Sequence, residues 1–411
     1  MKIVHILGRG IEGCGVTRFT LEMKDWALAQ GWDYKIYATK DKRWTRSKSH
    51  DLGENVIEQK FGNKPSRGDT IYGVNNIIED TKDADMVIIG SLPSKGHPDD
   101  CIENFSKLID NINTKLVMIQ HDHKMMSIRR NSLLDETIKK SDVIFSYSTK
   151  SPFMNYCRSL GTNAALYNFC NGIDISEIKN KYWKSIEDQD ENHLKWIGRS
   201  AYWKGFDVLF DLYENNAKNQ GFLFTLEGME RSIQFADIRK KFDFHHPDSD
   251  FNFKLEYNTK PYVFSAYKYT EMLERLSKCA FGFQLTYLQP EYIQNFIEFT
   301  HLEIVAAGCI PIFRKSYGDH CYHLQTGNPM TFDNDNGTIW LGEVGSDHTQ
   351  NMELINQLRK DSIMRDEWRH KAYEYYYSHN SPDSSFNDFF NKVKKTNKET
   401  KRIVNIEEFF V

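Results

Sequence analysis

Residues 2–38 read KIVHILGRGIEGCGVTRFTLEMKDWALAQGWDYKIYA. The opening KIVHIL is a six-residue apolar run of strand length, and it ends at a glycine. Glycines follow at 8, 10, 13 and 15. VTRFTLEMKDWALAQ then places apolar residues at helical spacing and stops at Gly31. DYKIYA, 33–38, is a second strand pattern. Strand, glycine turn, helix and strand in this order form the unit of an α/β sheet covered on both faces.

The same alternation continues outward. DMVIIG (85–90), KLVMIQ (115–120), DVIFSYS (142–148) and AALYNF (164–169) are separated by helical patterns. After a polar, acidic stretch, KSIEDQDEN (184–192), the pattern restarts with HLKWIGR (193–199), FLFTLEG (222–228), FGFQLT (281–286) and IPIFR (310–314). This predicts two doubly wound, Rossmann-like domains facing across a cleft, with ligands at the carboxyl ends of the strands. The boundaries expected are 1–175 and 176–365, followed by a helical tail, 366–411, with scope to cross back to the first domain.

Composition narrows the classes. The 411 residues are 40% hydrophobic and 27% charged, which suits a folded protein of more than one domain. No apolar run approaches the ~18 residues of a membrane span. MKIVHILGRG reads as a first strand and not as a signal peptide. Seven scattered cysteines without a CxxC pair predict reduced thiols in a cytosolic protein. The net charge of −4 suggests no polyanion partner, but a local patch can bind one. TKDKRWTRSKSH (39–50) is such a patch, with Lys40, Lys42, Arg43, Arg46 and Lys48 around Trp44. Its plain structural reading is a solvated loop.

Four further stretches could carry chemistry. In GRGIEGCGVTRF (8–19), Gly13 and Gly15 let backbone N–H groups approach an anion or sugar; equally, they allow a tight turn. In WIGRSAYWKGFD (196–207), Arg199 and Lys204 could neutralise a diphosphate leaving group, or be a surface pair of cations. In IEFTHLEIVAAGCIPIF (297–313), Glu303 lies one turn into a helix. There it could take ribose hydroxyls, or close a T-x-x-E capping box with Thr300, which local sequence favours. QHDHKMMSIRR (120–130) sets His121, Asp122 and His123 after a strand, with Arg129 and Arg130 close behind. His121 and His123 lack a third ligand of sensible spacing, and DQD (188–190) and DND (333–335) sit in polar linkers, so no metal is indicated.

These strings, in this order and spacing, resemble the DNA α-glucosyltransferases of T-even phages. YWK (182–184), EGMERS (227–232) and EMLERLSKCAFGFQL (271–285) extend the likeness, which runs from residue 1 to about 388. The resemblance implies a GT-B architecture with an N-terminal DNA-binding domain and a C-terminal nucleotide-sugar domain. It implies a retaining glycosyltransferase that moves glucose from UDP-glucose to 5-hydroxymethylcytosine in duplex DNA and so shields phage DNA from host nucleases. UDP-sugar is then the donor substrate, no cofactor is tightly bound, a divalent cation is possible but not indicated, and the setting is the cytoplasm of the infected bacterial host. By the same resemblance Arg199 and Lys204 hold the diphosphate and Glu303 binds the ribose. Backbone N–H groups at Phe299, Thr300 and His301 meet the phosphates. Gly228 and Met229 lie near the nucleotide, Gly13 and Gly15 over the sugar, and His121 and Asp122 at the reacting centre.

The chain departs from the wider retaining families in one place. Their E-x7-E pattern would require an acid eight residues before Glu303, where Asn295 stands; the nearest acid is Glu298. The grip on the sugar hydroxyls is therefore open, and another UDP-sugar such as UDP-arabinose is the nearest alternative donor. A catalytically silent DNA-binding protein of the same fold is the alternative from another class. With no evident carboxylate nucleophile, retention suggests attack from the face that UDP leaves. Arg129, Arg130 and the basic run are the expected phosphate binders, and the target base is expected to be flipped out of the duplex.

Overall fold

The computed structural model describes residues 1–11, 15–40, 52–64, 71–93, 97, 99–121, 132–199, 204–217, 220–229, 253–257, 269–287, 297–324, 326–333 and 336–396. The chain divides into two units. One comprises Met1–Gly172 and Pro382–Val411, the other Ile173–Ser381. Residues 366–381 thus go with the second unit, and the chain rejoins the first at Pro382.

The first unit holds a seven-stranded, all-parallel sheet. Its strands are β1 (Lys2–Leu7), β2 (Asp33–Thr39), β3 (Val56–Gln59), β4 (Met86–Ser91), β5 (Lys115–Gln120), β6 (Val143–Ser146) and β7 (Ala165–Asn168). Their order is β3-β2-β1-β4-β5-β6-β7, so the winding reverses between β1 and β4. Both faces are covered, as near-continuous apolar strands require. Val4, Ile6, Val87 and Ile89 pack with Phe61, Ile77, Phe105 and Leu108 in one core. In the same unit Phe19 and Trp26, on the Gly15–Ala29 helix, meet Phe386 and Phe390 of the Pro382–Lys395 helix. Trp26 stacks on Phe390 at 5.6 Å, and its Nε1–H donates to Asp383 at 2.8 Å. The last helix is therefore part of the first unit's core.

The second unit holds a six-stranded parallel sheet built from β8 (Asp190–Arg199), β9 (Leu223–Met229), β10 (Phe253–Tyr257), β11 (Cys279–Gln284), β12 (Ile310–Arg314) and β13 (Ile339–Leu341). The order is β10-β9-β8-β11-β12-β13, and the winding reverses between β8 and β11. Leu194, Trp196, Phe224, Phe281, Phe283 and Ile310 join Phe206, Leu209 and Ile355 in its core. Each fully buried side chain of this kind stabilises the fold by ~1.5–3 kcal/mol. The six described cysteines are buried. Among the described residues no helix is long and apolar enough to cross a membrane.

In both sheets the reversal creates a gap between strand ends where backbone groups and following turns converge. The turn after β1 is held tightly against the end of β2. Gly10 has φ 85°, and a Cβ on it would collide with the Thr39 carbonyl oxygen. The predicted glycine turn is thus a packing necessity at Gly10.

Candidate active site

In the second unit the site starts from the carboxyl ends of β8, β9 and β11. Register places Gly198 opposite Gly228 and Arg199 opposite Met229, so the predicted Arg199, Gly228 and Met229 share one edge. Gly205, which has φ 75°, sits against Leu285 just past the end of β11. A side chain there would collide with the Leu285 carbonyl oxygen. Only glycine accepts both that backbone region and that approach.

This approach delivers Lys204 to a polar cluster. Its ammonium donates to Glu298 Oε2 at 2.5 Å, Glu298 Oε1 at 2.7 Å and Thr286 Oγ1 at 3.2 Å. Gln284 Nε2 donates to Glu298 Oε2 at 2.8 Å, while Gln284 Oε1 accepts the Thr286 N–H at 3.1 Å. The Lys204 and Glu298 side chains are only 13% and 17% exposed. Burial alone would push the Glu298 carboxyl up. The charge of Lys204, with hydrogen bonds from Lys204 and Thr286, outweighs it and holds the group below the usual carboxylate range.

Glu298 also begins the Phe299–Ala306 helix. Its extended backbone, φ −66° and ψ 151°, makes it the N-cap residue, with no side-chain capping bond. The helix therefore starts two residues before the proposed capping box. Thr300 is its second residue and Glu303 its fifth, which corrects the local capping reading. Glu303 is partly exposed one turn in, as a residue reaching for a ligand must be. His301 is turned the other way. The residue is 1% exposed, its ring stacked on Tyr317 at 4.8 Å and edge-on to Phe313 at 4.4 Å. Burial pushes its pKa down to about 3, so it is neutral. Its backbone N–H donates to the Glu298 carbonyl at 3.0 Å. His301 thus turns its ring onto Phe313 and Tyr317 and commits its backbone N–H within the protein.

In the first unit β5 delivers His121 to the carboxyl edge of its sheet. Phe19 and Phe169 present edge contacts to the imidazole at 5.1 and 5.4 Å. Its Nδ1 lies 3.4 Å from the Tyr147 hydroxyl, which donates to Asn171 Oδ1 at 3.3 Å. A hydroxyl has one proton, so the Tyr147 oxygen accepts from Nδ1–H. Nε2 then carries the lone pair, and this buried atom has no hydrogen-bond partner among the described residues. Burial pushes the His121 pKa down to about 3. The ring is a neutral acceptor aimed from an aromatic box.

The other expected residues divide. Gly15 opens the first helix. Lys40 is exposed just after β2, with its N–H donating to the Gln59 carbonyl at 2.9 Å. Gly13, Lys42, Arg43, Arg46, Lys48, Asp122, Arg129 and Arg130 lie outside the described residues. Among the described residues no three His, Cys, Asp or Glu side chains converge on one point. Sequence reasoning missed Gln284, Thr286 and the bond between Glu298 and Lys204, as well as the Phe19, Tyr147 and Phe169 box. Glu298 was legible as the nearest acid to the expected one; the others looked like ordinary strand and helix residues.

Known proteins share this fold. The family model for DNA alpha-glucosyltransferase matches residues 14–363. The chain belongs to the DNA alpha-glucosyltransferase family. The DNA alpha-glucosyltransferase of Enterobacteria phage T4 is 34% identical over 412 residues, spanning 96% of this chain and all of that protein. A solved alpha-glucosyltransferase in complex with UDP and a 13-mer DNA containing an HMU base superposes with a TM-score of 0.83 at 34% identity, covering 96% of this chain and 99% of the other. Another, with UDP-glucose and DNA containing an abasic site, gives 0.83 at 34%, covering 96% and 100%. Anabaena Alr3699/HepE in complex with UDP and glucose shares the fold alone, with a TM-score of 0.59 at 11% identity and 96% and 99% coverage. This member of the DNA alpha-glucosyltransferase family is a glycosyltransferase with the GT-B fold.

Proposed function

We propose that the enzyme transfers glucose from UDP-glucose to the hydroxymethyl group of 5-hydroxymethylcytosine in duplex DNA, retaining the α configuration. It would do so in the cytoplasm of an infected bacterium and protect phage DNA from nucleases. The observation that carries the donor half is Lys204, held at the start of the Phe299–Ala306 helix by Glu298 and Thr286. A cation at a helix N-terminus on a sheet's reversal point suits a diphosphate leaving group. Arg199 lies at the adjacent strand end, and Glu303 takes the ribose hydroxyls. Gly228 and Met229 border the nucleotide.

On the acceptor side the hydroxymethyl oxygen attacks the sugar C1, the C1–O bond to the β-phosphate breaks, and UDP leaves from the attacked face. Asp122 takes the hydroxyl proton. Neutral His121 accepts a hydrogen bond from the sugar or the incoming hydroxyl through Nε2. The basic run Lys40 to Lys48, with Arg129 and Arg130, binds DNA phosphates and offsets the few kcal/mol needed to flip the base.

The test is a donor screen on hydroxymethylated duplex DNA, read by nucleoside mass spectrometry. Glucose on the modified cytosine is expected. A pentose adduct from UDP-arabinose with none from UDP-glucose would reassign the sugar, and no adduct with any donor would refute transfer. Asp122→Asn is expected to lose ~10²–10⁴-fold in kcat. Full activity would remove Asp122 from the base role.

A further inference from the structure

The Lys204 ammonium carries three hydrogens, and three oxygens surround it: both carboxylate oxygens of Glu298 and the Thr286 hydroxyl. The same carboxylate belongs to the N-cap residue of the Phe299–Ala306 helix, where negative charge is favoured by the helix dipole. An anion of the protein's own thus occupies the cation, beside the helix start, that recommends this place for a phosphate. Gln284, donating to Oε2 at 2.8 Å, braces it from β11.

We propose that Glu298 is a stand-in anion for the donor diphosphate. It positions Lys204 in the empty enzyme and gives the ammonium up when the donor arrives. This rests on the reading that Lys204 takes the diphosphate. The exchange trades one anion for another at a single cation, so the net gain is less than Lys204 alone would supply. Once parted from Lys204, the carboxylate is left partly buried beside new negative charge, which favours its protonation. Donor binding should then take up a proton. Of the other groups facing Glu298, Lys204 is the cation being exchanged, and His301 on the same helix stays neutral, with its pKa near 3.

The experiment is calorimetric titration of the full chain with UDP-glucose, whose diester phosphates do not titrate in the range used, between pH 7 and 5. Wild type, Glu298→Gln, Lys204→Ala and the double variant are compared. Glu298→Gln keeps the shape and removes the charge, and it is expected to bind about tenfold tighter at pH 7. Wild-type affinity should rise as pH falls, and that of Glu298→Gln should stay flat. In the Lys204→Ala background the Glu298→Gln gain should shrink, because no ammonium remains to be released. If Lys204→Ala weakens binding but Glu298→Gln leaves it equal or weaker, the stand-in role is overturned and the donor site survives. If Lys204→Ala binds as wild type does, the donor reading itself falls and takes this inference with it. Should Glu298→Gln fail to fold, the wild-type pH slope still decides: a flat slope overturns the proposal.

Discussion

At the residue scale, His121 shows how packing chooses among the chemistries open to one side chain. A free imidazole titrates near neutrality. Edge-on contact with Phe19 and Phe169 removes the water that would stabilise the cation and pushes the pKa to about 3. The residue can therefore accept a hydrogen bond but cannot store a proton at physiological pH. Proton NMR of the histidine ring signals should find no His121 midpoint between pH 5 and 8. A midpoint in that window would mean that the aromatic box does not close over the ring. The Tyr147→Phe variant removes the group that fixes the tautomer, so it should lower transfer activity without changing that absence of titration.

At the scale of elements, the donor edge depends on one turn and one ion pair. Gly205 must hold φ 75° against Leu285 for Lys204 to reach Glu298. Gly205→Ala should destabilise the second unit by about 1–3 kcal/mol through backbone strain alone. Denaturant unfolding would measure this, and a neutral result would refute the close approach. The ion pair makes stability depend on pH. The Glu298 carboxyl is held below its ordinary value in the folded chain, so its contribution is present above the unfolded pKa. It is lost as pH falls through the lower folded pKa. Unfolding curves of wild type and of the Lys204→Met/Glu298→Gln double variant should therefore diverge least in strong acid.

At the scale of the whole molecule, the chain divides in a way that linear order conceals. Residues from Pro382 onward belong with the first unit, where Phe386 and Phe390 meet Phe19 and Trp26. Ending the chain at Ser381 should strip this face and expose Trp26. The expected outcome is loss of cooperative unfolding and binding of a hydrophobic dye; a soluble, cooperatively folding product would contradict it. A milder variant, Phe386→Ala, should cost ~3–5 kcal/mol, as other large-to-small core changes do. Both effects arise in the first unit, so calorimetric UDP-glucose binding to Phe386→Ala at low temperature tests whether donor affinity survives.

Sequence by itself determined the α/β class and the strand-helix alternation, because apolar periodicity is local and strands buried on both faces are apolar throughout. It also singled out Lys204 and Glu303, whose charges are conspicuous beside apolar strands, and His121 at the end of KLVMIQ. The capping choice at Thr300 was misleading, since T-x-x-E is a local pattern and the helix start was decided by the extended backbone at Glu298. The remaining facts needed the tertiary structure. Glu298 and Lys204 are separated by 94 positions, and no periodicity links them. Strand order sets which ends adjoin, and only that adjacency brings Gln284 and Thr286 to the same carboxylate. Burial then decides protonation: desolvation by distant rings makes His121 and His301 neutral, and a nearby ammonium keeps Glu298 charged.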